Sequence, residues 1–195
     1  MRGNVVTLHL TASGIDSGSH YAAFVDRAAV AAGAAVPTAA DVVESSGATM
    51  VVAGLTIGRH AFTVVAVDAS GRRVTAAATT LSVTVNGPAT TVSAPLTARS
   101  GQPVQLTLNT FGVTIVDIPG DVSGRTAHYE VLVDGAPPKA GHTITSDAAL
   151  RTSAVVVTLR ALPPGRHEIW VVLADGANQV LDPLVAARAV VTVSG

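Results

Sequence analysis

Two stretches decide the reading of the chain: Ala127-His-Tyr-Glu-Val-Leu-Val-Asp-Gly135 and Leu162-Pro-Pro-Gly-Arg-His-Glu-Ile-Trp-Val-Val-Leu-Ala-Asp-Gly176. Each has a partner in the first half, Ser19-His-Tyr-Ala-Ala-Phe-Val-Asp26 and Leu55-Thr-Ile-Gly-Arg-His-Ala-Phe-Thr-Val-Val-Ala-Val-Asp68. His20 and His128 lie 108 residues apart, and His60 and His167, like Asp68 and Asp175, lie 107 apart. Self-similarity at so long a period marks duplicated units. The boundary is expected at Asn86-Gly-Pro88, because Gly-Pro cannot sit inside a central strand. Residues 1–87 then form one β-sandwich repeat and residues 88–195 a second.

Working outward, each repeat is a series of short β-branched runs bounded by turn residues. Strands are expected over 5–11, 20–26, 48–55, 59–68 and 74–85 in the first repeat. In the second they fall over 91–98, 104–110, 128–134, 154–162, 166–175 and 185–193. Turns are signalled by Gly14, by Ser17-Gly18 and by Ala69-Ser-Gly71. Residues 27–47, Ala-rich and broken by Gly33 and Pro37, read as a long connection, and 111–126 as a loop. This spacing gives an all-β fold class, two tandem immunoglobulin-like Greek-key β-sandwich domains. Strand phase puts His60, Phe62, Val64 and Ala66 on the core face, matched by His167, Ile169, Val171 and Leu173. Thr63, Glu168 and Trp170 take the opposite face. Asp26, Asp68, Asp134 and Asp175 each end a strand at a hairpin, where a carboxylate satisfies loop N–H groups.

Composition removes several function classes. A net charge of −1 offers no basic footprint for nucleic acid or acidic lipid. With no cysteine, disulfides and thiolate chemistry are excluded. No run of about 18 apolar residues spans a membrane. The N-terminus carries no apolar signal core, so either a signal peptide does not export the chain or the sequence starts after one. Only 13% of residues are charged while 48% are hydrophobic, so Ala, Val and Thr cover much of the surface. Such a surface suits packing against copies of the chain or other partners; a compositional bias without an interface is the alternative.

The repeats differ at their start. The second opens with the strand over 91–98, whereas the first begins directly at the next strand, at Val5, and exposes a sheet edge. Strand addition from a neighbouring subunit would fill that gap; a trimmed or simply short edge is the other reading.

The second repeat resembles a bacterial extracytoplasmic immunoglobulin-like domain family of unknown function. That family pairs a Gly-His-His-His-type strand ending in Asp with a Pro-Gly-x-His strand ending in Ala-Asp-x-x-His. The likeness rests on Phe111-Gly112-Val113, His128-Tyr129 with Asp134-Gly135, Pro164-Gly165-Arg166-His167 and Ala174-Asp175-Gly176-Ala177-Asn178-Gln179. The first repeat matches only at His20-Tyr21, Asp26, Gly58-Arg59-His60 and Asp68. The resemblance implies an exported module whose histidine-rich strand has the look of a metal site. Here the cluster is reduced to His128-Tyr129, and Asn178 or Gln179 stands at the later histidine position.

Geometry weighs against a metal centre. If the two central strands pair antiparallel, His128 lies near Asp175 and roughly 20 Å from His167, while ligands must converge within about 2.0–2.6 Å of one ion. His128 with Asp175 and Asn178 is a conceivable site with one strong ligand, and His20 is its counterpart; no metal site and no cofactor is assigned. His60 and His167 are expected to bond locally at strand starts, and His142 to be a solvated loop residue. Arg59 and Arg166, at equivalent positions, are expected to pair with Asp or with main-chain carbonyls. The chain has no Gly-x-Ser-x-Gly elbow, no His-Glu-x-x-His and no P-loop, and no enzyme is expected. The leading function is a non-enzymatic structural or interaction subunit of a surface, filament or virion-like assembly, located outside the cytoplasm. Its partners would be copies of itself or other protein subunits. The alternative is an exported metal- or small-ligand-binding domain; carbohydrate binding would have only Trp170, Tyr21 and Tyr129 as stacking platforms.

Overall fold

The computed structural model describes residues 3–11, 18–117, 122, 125–145 and 149–195. Gly14, Ser17 and residues 118–121 and 123–124 of the 111–126 stretch lie outside these. Among the described residues there are fifteen strands and no helix. The strands are β1 (Val6–His9), β2 (His20–Val25), β3 (Val42–Ser45), β4 (Thr49–Val52), β5 (Gly58–Val67) and β6 (Thr79–Val85), then β7 (Ala89–Ser93), β8 (Thr97–Arg99), β9 (Val104–Phe111), β10 (Thr114–Ile115), β11 (Thr126–Val133), β12 (Ala149–Thr152), β13 (Val156–Leu159), β14 (Gly165–Ala174) and β15 (Ala186–Ser194). Contacts divide the chain into two compact units. The smaller holds Val6–Val52 and Arg59–Thr84; the larger holds Val85–Gly195, the residues up to Val5 and Ala53–Gly58.

The larger unit is a sandwich of two sheets. One has the order β13-β9-β7; the other has the order β10-β11-β14-β15-β8, with β12 also on β11. Inward residues alternate along every strand: Val104, Leu106 and Leu108 from one sheet meet Tyr129, Val131, Ile169, Val171 and Leu173 from the other. A polar chain crosses this core. The buried Tyr129 hydroxyl bonds Thr110 Oγ1 at 2.9 Å, which bonds Thr90 Oγ1 at 3.0 Å, which donates to the Asn109 carbonyl at 3.2 Å. The smaller unit repeats the arrangement with β1-β4 facing β3-β2-β5-β6, and Leu8, Met50, Val52 and Phe62 are buried in it.

Sequence phase found the core face but not what covers the other one. Val65 and Val67 are as buried as Phe62, and Trp170, Val172 and Ala174 as buried as Ile169. In the smaller unit the long connection, expected to be irregular, closes over Ala22, Phe24, Val65 and Val67 with Ala29, Val30, Val36 and Val42. Two arginines fasten it: Arg72 donates to Gly33 O at 2.8 Å, and Arg73 to Val30 O and Ala76 O at 2.6 Å each. In the larger unit Ile144, Val180 and Leu184 cover Trp170 and Val172, joined by Val5 and Ala53.

Asn4, fully buried, holds that cover. Its amide donates to Thr90 O at 2.5 Å and accepts from Ala186 N–H at 3.1 Å. Gly3 beside it needs glycine, since at φ 75° a Cβ would sit 2.7 Å from Leu184 O.

Further differences follow from this double burial. The edge strands β3 and β12 fall where the sequence shows only loop, because edge pairing needs no hydrophobic alternation. The opening strand of the second repeat splits around Ala94-Pro95 into β7 and β8, which join opposite sheets: β7 pairs antiparallel with β9, and β8 runs parallel to β15. Proline lacks the N–H that a continuous strand would use. The return strand β6 begins at Thr79 rather than Val74.

Candidate functional site

The duplicated stretches build the same clasp twice. At the end of β11, Asp134 turns left-handed (φ 56°), a conformation that Asp tolerates better than most residues. Its carboxylate then reaches across to the start of β14. Oδ1 accepts from Glu168 N–H at 2.9 Å, and Oδ2 meets His167 Nδ1 at 2.7 Å. At the end of β2, Asp26 has the same φ of 56°, accepts from Ala61 N–H at 2.8 Å and meets His60 Nδ1 at 2.6 Å. The two histidine rings are buried, while the carboxylates are about half exposed.

The second ring nitrogen fixes the charge state of His167. Nε2 faces the Pro163 carbonyl at 2.7 Å while Nδ1 faces the carboxylate. Both partners only accept, so both nitrogens must donate, and the ring is an imidazolium. Its pKa is raised accordingly: the bonds to Pro163 O and to Asp134 outweigh burial, which opposes them. Burial pushes the Asp134 carboxyl up, but the Glu168 N–H and His167 together hold it below its ordinary value. Asp26 is lowered in the same way, against burial, by Ala61 N–H and His60. A catalytic Asp–His pair needs a ring nitrogen turned to substrate, and His167 has none to offer.

The aspartates therefore do two different jobs. Asp68 and Asp175 satisfy their own turns, as the sequence implies: Asp68 Oδ1 takes Ser70 N–H and Arg72 N–H, and Asp175 Oδ1 takes Ala177 N–H and Gln179 N–H. Asp26 and Asp134 instead bridge to the neighbouring strand, because the left-handed turn swings the carboxylate out of its own loop. The histidine bond to Asp is thus long-range, and the bond from His167 to Pro163 O is local.

His128 was expected beside Asp175, and the register His128↔Ala174 puts it there. The side chains that converge are different ones. His128 Nε2 lies 3.0 Å from Glu130 Oε1 and 3.2 Å from Asn178 Oδ1, while Asp175 is turned to its own loop. Arg151 Nε donates to the same Glu130 oxygen at 2.9 Å. His128 and Glu130 are buried, and Nδ1 of His128 is buried without a hydrogen-bond partner among the described residues. Burial raises the Glu130 carboxyl, but His128 and Arg151 together bring it below its ordinary value. Glu130 was missed by the sequence reading, although its place two residues after His128 on one strand face was the available signal. His20, the counterpart of His128, faces Glu44 at 3.7 Å in a more exposed setting. Among the described residues no group of three or more His, Cys, Asp or Glu side chains lies close enough to hold a metal ion.

Arg59 donates to Ser82 Oγ at 3.4 Å rather than to a carboxylate, and exposed Arg166 has no such partner among the described residues. His142 is exposed, its Nδ1 3.2 Å from Ala140 O. Trp170 and Tyr129 are buried, which removes two of the three stacking platforms.

No protein-family model matches the chain, and no curated protein matches its sequence. Among solved structures it is similar to the fibronectin(III)-like modules of Clostridium thermocellum CbhA. That match has 17% identity and a TM-score of 0.32, and covers 99% of this chain and 88% of that one. It is also similar to a Corynebacterium diphtheriae protein described as membrane-anchored, with 14% identity and a TM-score of 0.34. The second match covers 97% of this chain and 48% of that one, so this chain spans about half its length. Neither likeness carries a functional argument at these values; strand order and register establish the all-β sandwich fold.

Proposed function

We propose that the chain is a non-enzymatic structural or interaction protein, with tandem sandwich domains over residues 1–87 and 88–195. It serves as a subunit of a surface, filament or virion-like assembly outside the cytoplasm. The observation that carries this reading is that the fold itself occupies the chemically competent groups: His167 through both nitrogens, Asp26 and Asp134 across strands, Asp68 and Asp175 in turns. What remains at the surface is largely uncharged sheet, suited to partner polypeptide. The edge of β1 supports the same reading. Among the described residues β1 pairs only with β4, whereas its counterpart β9 has β13 and β7 on its two sides, so an added strand fits there. Light scattering after size-exclusion chromatography, with electron microscopy of the same material, tests the proposal. Concentration-dependent oligomers or ordered assemblies are expected; a strict monomer at high micromolar concentration that binds no polypeptide refutes it.

A second reading, an exported domain that binds a metal or small ligand, draws on the unpartnered Nδ1 of His128. Calorimetric titration with zinc or copper decides it. Equal heats from wild type and His128→Ala remove it.

A further inference from the structure

Strand β13 is the outer strand of the larger unit's smaller sheet, and among the described residues it pairs only with β9. Leu108 N–H donates to Val155 O at 2.7 Å. By antiparallel alternation Val155, Val157 and Leu159 turn their backbone groups to β9, and Val156 and Thr158 turn theirs outward. Natural edges are blunted by lysine, proline or inward charge. The stretch Ser153-Ala-Val-Val-Val-Thr-Leu159 has none of these. Val155, Val156 and nearby Leu150 are 57%, 47% and 45% exposed. The corresponding edge β4 is different, because the outward carbonyl of Thr49 accepts from Ser45 Oγ at 2.8 Å.

We infer that β13 is a self-pairing edge, and that its occupant is β13 of a second copy, antiparallel about a two-fold axis. This deepens the assembly reading above and rests on it. Outward-facing residues must pair with outward-facing residues, and of the two-fold registers this allows, the one centred on the two outward residues of the strand sets Val156 opposite Thr158 and Val157 opposite itself. The same register sets Ala154 of one copy opposite Arg160 of the other. Arg160 is exposed and has no ion pair or hydrogen bond among the described residues. Next to Ala154, Ser153 Oγ donates to exposed Asp117 at 2.6 Å. Each copy thus offers an unpaired guanidinium to a carboxylate on the other, twice over by symmetry. That charge complementarity selects a second copy over an arbitrary strand.

Sedimentation equilibrium on the full chain tests this. Val156→Lys places a charge on the edge and is expected to raise the dimer dissociation constant at least about tenfold, with an unchanged circular dichroism spectrum. Arg160→Glu and Asp117→Arg, both at exposed positions, should each weaken the dimer; their combination should restore it. A wild-type monomer at high micromolar concentration overturns both this inference and self-association. A dimer indifferent to Val156→Lys overturns the inference alone, as does failure of the double reversal to recover what each single reversal loses. If Val156→Lys fails to fold, the charge-reversal pair decides by the same criteria.

Discussion

The two units carry one clasp and two different outer faces. Asp26 with His60 and Asp134 with His167 agree in φ, in partner atoms and to 0.1 Å in the His–Asp distance. A few residues away the copies part. His20 meets Glu44 on the adjacent edge strand at 3.7 Å, with the acid half exposed. His128 meets Glu130 on its own strand at 3.0 Å, with both buried, and the edge position carries Arg151 instead. The clasp is fixed by backbone geometry, a left-handed Asp facing the start of the next strand, and so it survives duplication. The outer-face pair depends on which loop lies over it. Cover 27–41 in the smaller unit is apolar and held by Arg72 and Arg73; the cover at 140–145 in the larger unit is tied down through Asn178, whose Nδ2 donates to Ile144 O at 2.6 Å.

This comparison can be broken most directly at the buried acid. Glu130→Ala strands His128 and Arg151 and should cost about 2–4 kcal/mol in urea unfolding. The clasps should weigh alike: His167→Ala and His60→Ala each lose a buried ring and its bond to Asp, about 2–3 kcal/mol. A difference between them above about 1.5 kcal/mol would show that the shared geometry hides unequal energetics. Tyr129→Phe, which cuts the polar chain to Thr110, should cost about 1 kcal/mol. The smallest effect belongs to Glu44→Ala, below about 0.5 kcal/mol, as for exposed pairs generally.

The pH dependence sharpens the clasp further. His167 has a raised pKa, so its contribution is complete below its ordinary 6.5 and fades as pH climbs through the higher folded value. Asp134 has a lowered pKa, so its contribution is complete above its ordinary 3.8 and fades as pH falls through the folded value. The stability difference between wild type and His167→Gln should therefore be widest between these two ordinary values and narrow on both sides. Unfolding curves across that range check it, and a flat difference rules the imidazolium out.

Duplication, strand phase and turn residues made the sandwich legible, because an alternating run can bury only one face by itself. Of the expected core residues Phe62, Ile169, Val171 and Leu173 are buried while Val64 is only half-buried, and the antiparallel register that separates His128 from His167 follows from the same pattern. The clasp was visible as a recurring Asp and His but not as a bond, since 33 and 34 residues separate the partners.

What the sequence by itself determined is therefore the all-β duplicated plan, the central strand pairs and the absence of thiol chemistry. Only the tertiary structure decided which side chains met. It buried the second face under loops, chose Glu130 over Asp175 as the neighbour of His128, and brought Asn4 beside Thr90 and Ala186. Strand period is a local property encoded residue by residue; these contacts join segments far apart in the chain and exist only once the sheets have packed.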